Sequence, residues 1–242
     1  MLDGRTVVVT GGATGIGLGI ARCLARAGCR VAIAGRREDK LRVAAESCNT
    51  SPKVIWHPVD VTCRDSVRQL FDWARKEFGQ IDVLVNSAGM NIKNRSMAEM
   101  RPEQWDEVMA SNVTGAYNCM FAVLPSMRQR RDGLIININS ISGLRAWAIG
   151  GVAYDASKFA MRGLGVAVGN EDNEHGIRVT NIYPGEVDTP LLAQRPVPVS
   201  ESHKATILQP DDVGQLVVAV VDLPPRAHVP EVTIKPTPAM FV

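Results

Sequence analysis

Short apolar runs alternate with longer, helix-like stretches along the whole chain. The apolar runs are continuous, as in Val7–Val9 and Leu134–Ile136, instead of alternating with polar residues. Continuous runs of this kind are typical of parallel strands that are buried on both faces of a sheet. Seven strands are predicted: Thr6–Thr10, Arg30–Ala34, Lys53–His57, Asp82–Val85, Leu134–Ile138, Arg178–Ile182 and Glu231–Ile234.

The stretches between these runs have the length and composition of helices. Six are predicted: Gly15–Ala27, Glu38–Cys48, Arg64–Phe78, Pro102–Arg130, Val152–Asn173 and Asp211–Asp222. Strands separated by helices form βαβ units, so the pattern predicts an α/β fold with a doubly wound, mostly parallel sheet of seven strands and helices on both faces. Because no linker interrupts the pattern and 242 residues fit one large domain, we predict a single domain over residues 1–242.

Composition and charge narrow the class of protein. The chain is 45% hydrophobic, and 27 Lys and Arg residues against 25 Asp and Glu residues give a net charge of +2, which argues against nucleic acid or an anionic membrane as the main partner. The N-terminus begins a strand at once and no apolar run could span a bilayer, so we expect neither a signal peptide nor a membrane helix. Five cysteines without a CxxC pair are typical of a reduced, cytoplasmic protein, and four scattered histidines predict no metal site.

A glycine-rich turn follows the first strand and opens the first helix. It reads Thr10-Gly11-Gly12-Ala13-Thr14-Gly15-Ile16-Gly17. Glycines in such a turn let the backbone come close to a pyrophosphate, and the free amides at the helix N-terminus then bind the anion. The turn therefore predicts a dinucleotide site that includes Gly11, Ala13, Thr14, Gly15, Ile16 and Gly17. A turn that serves only the packing of helix on strand is the alternative.

The end of the second strand bears on which dinucleotide binds. An NAD-preferring site places a carboxylate there, where it accepts hydrogen bonds from the ribose. Here the strand ends in Gly35-Arg36-Arg37, and the first acidic residue, Glu38, starts the next helix. A guanidinium holds a 2′-phosphate through charge-assisted, bidentate hydrogen bonds. NADP(H) is therefore predicted as the cofactor in preference to NAD(H). Ordinary surface charges, or Arg36 stacked on the adenine of NAD, are the alternatives.

Further positions carry candidate catalytic chemistry. Tyr154 and Lys158 are separated by one helical turn near the start of a predicted helix, so the phenol and the ammonium lie on one helix face. Ser140 and Ser142 follow the fifth strand, and the carboxyl end of a strand is where an open α/β sheet binds its ligand. Asn112 lies inside a predicted helix, where an amide is unfavourable unless it is used.

Six segments, taken in order, resemble the motifs of the single-domain short-chain dehydrogenases/reductases. They are TGGATGIG from Thr10, NSAG from Asn86, NVTG from Asn112, IININSISG from Ile135, YDASK from Tyr154 and PGEVDT from Pro184. The resemblance extends from Gly4 to about Pro190 and is looser beyond that residue. It implies a Rossmann-type fold and a nicotinamide-dependent oxidoreductase that acts on an alcohol or a carbonyl without a metal.

The resemblance also implies catalytic roles. Tyr154 would be the general acid/base, and Lys158 would bind the nicotinamide ribose and lower the pKa of the tyrosine. Ser140 would orient the substrate oxygen, and Asn112 would hold a water in a proton relay. We prefer Ser140 to Ser142 because it stands three residues before Gly143, as the serine of the family usually does.

Cofactor contacts are implied at further positions that match the family. These residues are Arg36, Arg37, Asp60, Val61, Asn86, Ala88, Gly89, Pro184, Gly185, Val187 and Thr189, together with Tyr154 and Lys158. Asp60 and Val61 would hold the edge of the adenine ring. The half of the chain up to about residue 130 would bind the cofactor, and the rest would carry catalysis and substrate binding.

The resulting hypothesis is an NADP(H)-dependent enzyme that interconverts an alcohol and a ketone or aldehyde by hydride transfer. The alternative is a non-catalytic dinucleotide-sensing or scaffold protein, because the fold alone does not separate the two classes. The catalytic set favours the enzyme, since a sensor has no need of serine, tyrosine and lysine at matched spacing. The family also implies a homodimer or homotetramer, and small residues along Val152–Asn173 permit close helix approach. The loop from Leu191 to Thr206 identifies no substrate.

Overall fold

One parallel sheet organises the described part of the chain, residues 2–240 of a computed structural model. Its strands are β1 (Thr6–Thr10), β2 (Arg30–Gly35), β3 (Ile55–Pro58), β4 (Val83–Asn86), β5 (Gly133–Ile138), β6 (Ile177–Pro184) and β7 (Glu231–Ile234). The strand order is β3-β2-β1-β4-β5-β6-β7, and every neighbouring pair is parallel. The predicted fold class is confirmed, with a sheet that is parallel throughout these residues. Met1, Phe241 and Val242, which belong to the predicted 1–242 domain, lie outside the described residues.

Helices connect the strands on both faces of the sheet. They are α1 (Gly15–Arg26), α2 (Glu38–Cys48), α3 (Arg64–Phe78), α4 (Pro102–Met109), α5 (Gly115–Arg130), α6 (Val152–Asp172), α7 (Glu201–Lys204) and α8 (Pro210–Asp222). The short helix α7 lies in the loop that the sequence left unassigned. Its first turn is capped by Ser200, whose Oγ accepts from the His203 N–H at 3.2 Å.

Alternating side chains of the central strand divide the core into two layers. Val7 and Val9 on β1 belong to the layer that packs against α1 and α8, whereas Val8 belongs to the layer with Phe71 of α3 and Met127 of α5. All three valines are completely buried. Successive residues of a strand point to opposite faces, so a continuous apolar run is what a sheet covered on both faces requires.

The prediction of a single regular helix over Pro102–Arg130 was wrong in detail, because the structure inserts one extra residue at its centre. A π-helical turn, Ala110–Thr114, separates α4 from α5, and the Gly115 N–H donates to Ala110 O. Asn112, which is completely buried, lies in this turn. Its side chain bonds the backbone of a neighbouring loop, which gives the chain a reason to leave the regular helix here.

Asp172, in the polar segment that ends α6, joins this helix to α5. Asp172 is completely buried, and its carboxylate accepts from Arg128 Nε at 2.5 Å and from Nη2 at 2.8 Å. His175 lies 3.4 Å from the same carboxylate. This bidentate pair fixes the end of α5 against the end of α6, and a buried carboxylate without the arginine would be strongly unfavourable.

Candidate active site

A cleft of about 1050 Å³ opens at the carboxyl ends of the central strands. The strand order reverses between β1 and β4, and open α/β sheets bind ligands at such a switch point. The glycine-rich turn lines one end of the cleft, Arg36 and Asp60 line its outer edge, and Tyr154 and Lys158 line the other end. One cleft therefore brings together residues from both halves of the chain.

The glycine-rich turn is packed too closely for side chains. Gly11 has φ 67°, and a Cβ there would lie 2.7 Å from Ser87 O. A Cβ on Gly17 would collide with Gly11 O. Helix α1 begins at Gly15 with no side chain bonded to its N-terminal amides. The exposed amides and the positive end of the helix form a site for an anion.

The outer edge of the cleft carries unpaired positive charge. Arg36 and Arg37 are exposed at the end of β2, and both line the cleft. Within residues 2–240, no hydrogen bond or ion pair occupies either guanidinium. Asp60 lines the cleft beside them, and hydrogen bonds from Thr62 hold the pKa of its carboxyl below the ordinary value. Asp60 Oδ1 accepts from Thr62 N at 2.9 Å and from Thr62 Oγ1 at 2.7 Å, so the carboxylate shapes its own turn.

Tyr154 and Lys158 occupy the first turns of α6 and face the cleft together. Lys158 Nζ lies 5.5 Å from the centroid of the Tyr154 ring and donates to Ile138 O at 3.0 Å. Only 5% of Lys158 is exposed, and burial lowers its pKa to about 8. Burial raises the pKa of Tyr154, while a hydrogen bond with Ser140 lowers it. The lysine is thus a cation held beside the phenol and away from water.

The two candidate serines have different surroundings. Ser140 lies close enough to Tyr154 to lower the pKa of the phenol, and its Oγ accepts from Ser142 N at 3.1 Å. Ser142 is buried behind it, near Asp155 of α6. The carboxyl of Asp155, whose pKa burial raises, accepts from Trp147 N at 2.7 Å. Ser140 is therefore the serine that stands beside the phenol.

Asn112 connects the π-helical turn to α6 and to the loop after β4. Its Oδ1 accepts from Met90 N at 2.8 Å, and its Nδ2 donates to Met90 O at 3.0 Å and to Ser157 Oγ at 3.0 Å. Ser157 Oγ in turn donates to Tyr154 O at 2.7 Å. The amide lies behind Tyr154 and Lys158 and does not line the cleft.

The predicted cofactor residues divide into two groups. Those that line the cleft are Gly11, Ala13, Thr14, Gly15, Ile16, Gly17, Arg36, Arg37, Asp60, Val61, Ala88, Gly89, Tyr154, Lys158 and Thr189. Asn86, Pro184, Gly185 and Val187 are not among the residues that line it. Asn86 Nδ2 donates to Asn137 Oδ1 at 3.0 Å, which joins β4 to β5 below the cleft. Val187 is buried and forms a bridge to Leu208.

Sequence reasoning missed residues that shape the substrate end. Lys93, Gln104, Glu107 and Gln194 line the cleft there, and Arg95 lies buried behind them. None of these residues belongs to a motif, so they could be identified only once the positions of the loops in space were known. Within residues 2–240, no group of acidic, histidine or cysteine side chains could hold a metal ion. No helix in the same range is long and apolar enough to cross a membrane.

Fold and site together define a doubly wound α/β protein with an anion-binding turn and a tyrosine–lysine pair on one cleft. The family model for short chain dehydrogenases matches residues 5–197. The chain therefore belongs to the short-chain dehydrogenase/reductase family of oxidoreductases, and the resemblance stated from the motifs is confirmed.

Relatives match over nearly the whole length. An uncharacterized oxidoreductase of Staphylococcus saprophyticus is 35% identical over 237 residues, which cover 97% of this chain and 98% of the relative. An alcohol dehydrogenase from the archaeon Thermococcus sibiricus, complexed with 5-hydroxy-NADP, aligns with a TM-score of 0.88 and 27% identity over 98% of this chain and 99% of its own. A metagenomic short-chain oxidoreductase in complex with NADP aligns with a TM-score of 0.83 and 30% identity over 98% of both chains.

Proposed function

We propose that this protein is an NADP(H)-dependent oxidoreductase that interconverts an alcohol and a carbonyl, with Tyr154 as the general acid/base. The observation that carries the proposal is the pair Tyr154 and Lys158 at one end of a cleft whose other end is the glycine-rich turn. Ser140 does not line the cleft but lies beside the phenol. A protein that only senses a dinucleotide needs the turn but not this group.

The residues of the cleft fit a nicotinamide dinucleotide. Gly11 and Gly17 let the turn pack backbone against backbone with no room for a side chain. The turn leads into the N-terminus of α1, where Thr14 provides no side-chain cap. A pyrophosphate is stabilised at such a terminus. Two structural relatives of the family are complexes with NADP or a derivative of it, which supports the same class of cofactor here.

The charge at the end of β2 supports a preference for NADP(H). No carboxylate follows β2 before Glu38. The carboxylate of Asp60 lies near Arg36, and its Oδ1 already accepts two hydrogen bonds from Thr62. Arg36 and Arg37 are exposed on the cleft edge and form no hydrogen bond or ion pair within residues 2–240, so their donors are available to a phosphate. Charge-assisted bonds from a guanidinium are the stronger class of hydrogen bond.

The chain's own residues would handle the proton. The cofactor, when bound, supplies the hydride chemistry. In the reductive direction the Tyr154 phenol donates its proton to the substrate oxygen, and in the oxidative direction the phenolate takes it back. Ser140 Oγ donates a hydrogen bond to the same oxygen and thereby orients the substrate. The relay water that the resemblance implies for Asn112 could reach only the second lone pair of its Oδ1, because both Nδ2 protons are donated to Met90 O and Ser157 Oγ.

Electrostatics around Tyr154 decide how easily that proton moves. Burial raises the pKa of the phenol, which opposes proton transfer near neutral pH. Because the pKa of Lys158 is about 8, its side chain is still mainly charged at neutral pH. A cation 5.5 Å from the ring centroid favours the phenolate and so opposes the effect of burial.

The test is a panel of carbonyl compounds and alcohols assayed with both cofactors through the absorbance of the reduced form. The panel includes a 3-ketoacyl thioester, sugars and polyols, and xenobiotic ketones and aldehydes. We expect turnover of at least one member, with a higher kcat/KM for NADPH than for NADH. Tight NADPH binding without turnover of any member would instead support the sensing or scaffold protein.

We also propose that two copies assemble through α5 and α6. Tyr117 and Phe121 on α5 and Phe159 and Val166 on α6 are between 40% and 67% exposed. No atom lies within 4 Å of a Cβ built on Gly163, so another helix could approach closely there. A monomer mass by light scattering at micromolar concentration would contradict this assembly. The cytoplasmic location stays a prediction.

A further inference from the structure

Arg95 is a buried cation in the loop between β4 and α4, and only 9% of the residue is exposed. Its guanidinium donates to three backbone carbonyls. Nε donates to Ile92 O at 2.8 Å, Nη1 to Ile149 O, and Nη2 to Gln194 O at 2.9 Å. Arginine suits this arrangement because its donors form a rigid, planar fork.

Within residues 2–240, the partners of this guanidinium are neutral carbonyls, and it forms no ion pair. A buried charge without an opposite charge is costly. Burial and the nearby cation Arg195 lower the pKa of Arg95, while Tyr154 and Asp155 raise it. An apolar side chain of similar length would fill the space without the cost of burying a charge. We therefore attribute the presence of an arginine here to its three hydrogen bonds with backbone carbonyls.

The three carbonyls belong to three segments around the Tyr154 end of the cleft. Ile92 lies in the same loop as Arg95 and lines the cleft. Gln194 ends a short 3₁₀ turn, Pro190–Gln194, which also lines the cleft and is called the flap below. Ile149 belongs to residues 147–151, which lead into α6 and are called the wall below.

Arg95 also fixes the start of the helix that carries Tyr154. Val152 N–H, at the beginning of α6, donates to Arg95 O at 3.1 Å. Gly151 has φ 85°, and a Cβ there would collide with the stem of Arg95. Asn91 adds a second connection, since its Nδ2 donates to Gly150 O at 3.0 Å. The wall is thus held between the loop after β4 and the first turn of α6.

We propose that Arg95 is a positioning residue that joins the wall to the flap and so fixes the substrate end of the cleft around Tyr154. The inference rests on the proposed function, because it assigns a further residue to the same site. Moving the flap away breaks the bond from Nη2 to Gln194 O and leaves a buried cation with one acceptor fewer. Loss of Arg95 therefore acts on the mobility of both segments and on KM, and not on cofactor affinity.

The positive charge of Arg95 has a separate effect on Tyr154. Charged groups face the phenol from two elements, Lys158 and Asp155 on α6 and Arg95 on the loop after β4. Arg95 lowers the pKa of Tyr154, whereas Asp155 raises it. Removing the cation raises the pKa of Tyr154, so the acidic limb of the pH–rate profile for alcohol oxidation moves to higher pH.

The experiment compares three variants of the full chain with NADPH bound. Arg95→Met removes the charge and the donors. Arg95→Lys keeps the charge but cannot reach three carbonyls. Arg101→Met is the matched control, because this arginine at the start of α4 is 66% exposed. Backbone hydrogen exchange, KM, kcat, the NADPH Kd and the oxidative pH profile are measured for each.

In Arg95→Met, exchange in residues 145–151 and 190–195 should quicken at least about 10-fold, with KM raised to a similar extent and the NADPH Kd changed by less than about 2-fold. Arg95→Lys should show the same rise in exchange and KM, while its acidic limb stays near that of the unmodified enzyme. Arg101→Met should match the unmodified enzyme throughout.

Unchanged exchange and KM in Arg95→Met would overturn the inference. A loss of NADPH affinity as large as the rise in KM would also overturn it, because the arginine would then serve folding alone. If Arg95→Met does not fold, Arg95→Lys decides the outcome by the same exchange and KM criteria. The exchange measurement needs no substrate, so it can fail while turnover persists. Equally, Tyr154→Phe can disprove the proposed function while the exchange result stands.

Discussion

The two ends of the cleft are held in shape by different means. At the cofactor end, backbone packs directly on backbone: a Cβ on Gly11 would lie 2.7 Å from Ser87 O, and one on Gly17 would collide with Gly11 O. Close-packed backbone has no freedom to give way when an atom is added. A single added methyl group at this end should therefore weaken cofactor binding markedly.

At the substrate end, charged side chains reach across to segments that are distant in sequence. Arg95 bonds Gln194 O of the flap, and Glu186 pairs with Arg195 at 2.8 Å and with His203 at 2.9 Å on either side of the following loop. Individual bonds of this kind contribute modest free energies and can be weakened one at a time. The end of the cleft at the glycine-rich turn is therefore rigid by packing, whereas the opposite end is adjustable by charge.

Tyr154 lines the end of the cleft opposite the glycine-rich turn, and its substitution should have the largest effect. Tyr154→Phe removes the proton donor and keeps the ring, so turnover should fall at least about 100-fold. The NADPH Kd should change little, because the packed end is untouched. Tyr117→Phe, on the exposed face of α5, is the matched control. Near-normal turnover by Tyr154→Phe on the best substrate of the panel would contradict the mechanism.

Arg36→Ala tests whether charge also matters at the edge of the rigid end. Charge-assisted bonds of about 1.5–3 kcal/mol correspond to a preference for NADPH over NADH of roughly 10- to 100-fold. We expect this preference to weaken in high salt and to vanish largely in the variant. Fluorescence titration of both cofactors at low salt measures it. Arg42→Ala is the control: this arginine is an exposed side chain on α2, and its loss should leave the preference for NADPH unchanged. An equal or tighter Kd for NADH in the unmodified enzyme would refute it.

Gly17→Ala tests the rigidity itself. The added Cβ collides with Gly11 O, and overpacking of this kind typically costs about 1–3 kcal/mol. The NADPH Kd should rise correspondingly, by roughly 10- to 100-fold. Gly169→Ala is the control, since a Cβ there would meet Val179 at an ordinary 3.4 Å. Equal affinities for the two variants would show that the turn is looser than its geometry indicates.

The smallest of the expected effects is the pH dependence of stability that Lys158 causes. Its sign follows from burial, which lowers the pKa of the ammonium group. Its pKa is about 8 in the folded protein against 10.5 for an ordinary lysine. Between these values the unfolded chain binds a proton that the folded chain does not, so stability rises with pH through this window. Relative to Lys158→Met, the unmodified protein without cofactor should gain about 1–2 kcal/mol between pH 7.5 and 9.5. Urea unfolding at both pH values measures the gain, and a constant difference between the two proteins would disprove it.

The sheet and the rigid end were predictable because their signals are local. The glycine spacing specifies a turn by itself, and Tyr154 and Lys158 meet through helix periodicity alone. The substrate end depends on contacts between distant segments. Arg95 has no motif, and its partner Gln194 is 99 residues away. Likewise, the role of the buried Asp172 becomes clear only from its ion pair with Arg128, which lies 44 residues earlier on another helix.

The π-helical turn Ala110–Thr114 has a consequence for insertions and deletions. Each residue of an α-helix advances the side-chain direction by about 100°. The extra residue in this turn sets the phase of α5 relative to α4, so that Gln104 lines the cleft while Met127 packs in the core. Deleting one residue here would restore a regular helix and rotate one of these faces away from its surroundings. The chain can therefore exchange side chains along this helix far more easily than it can change their number.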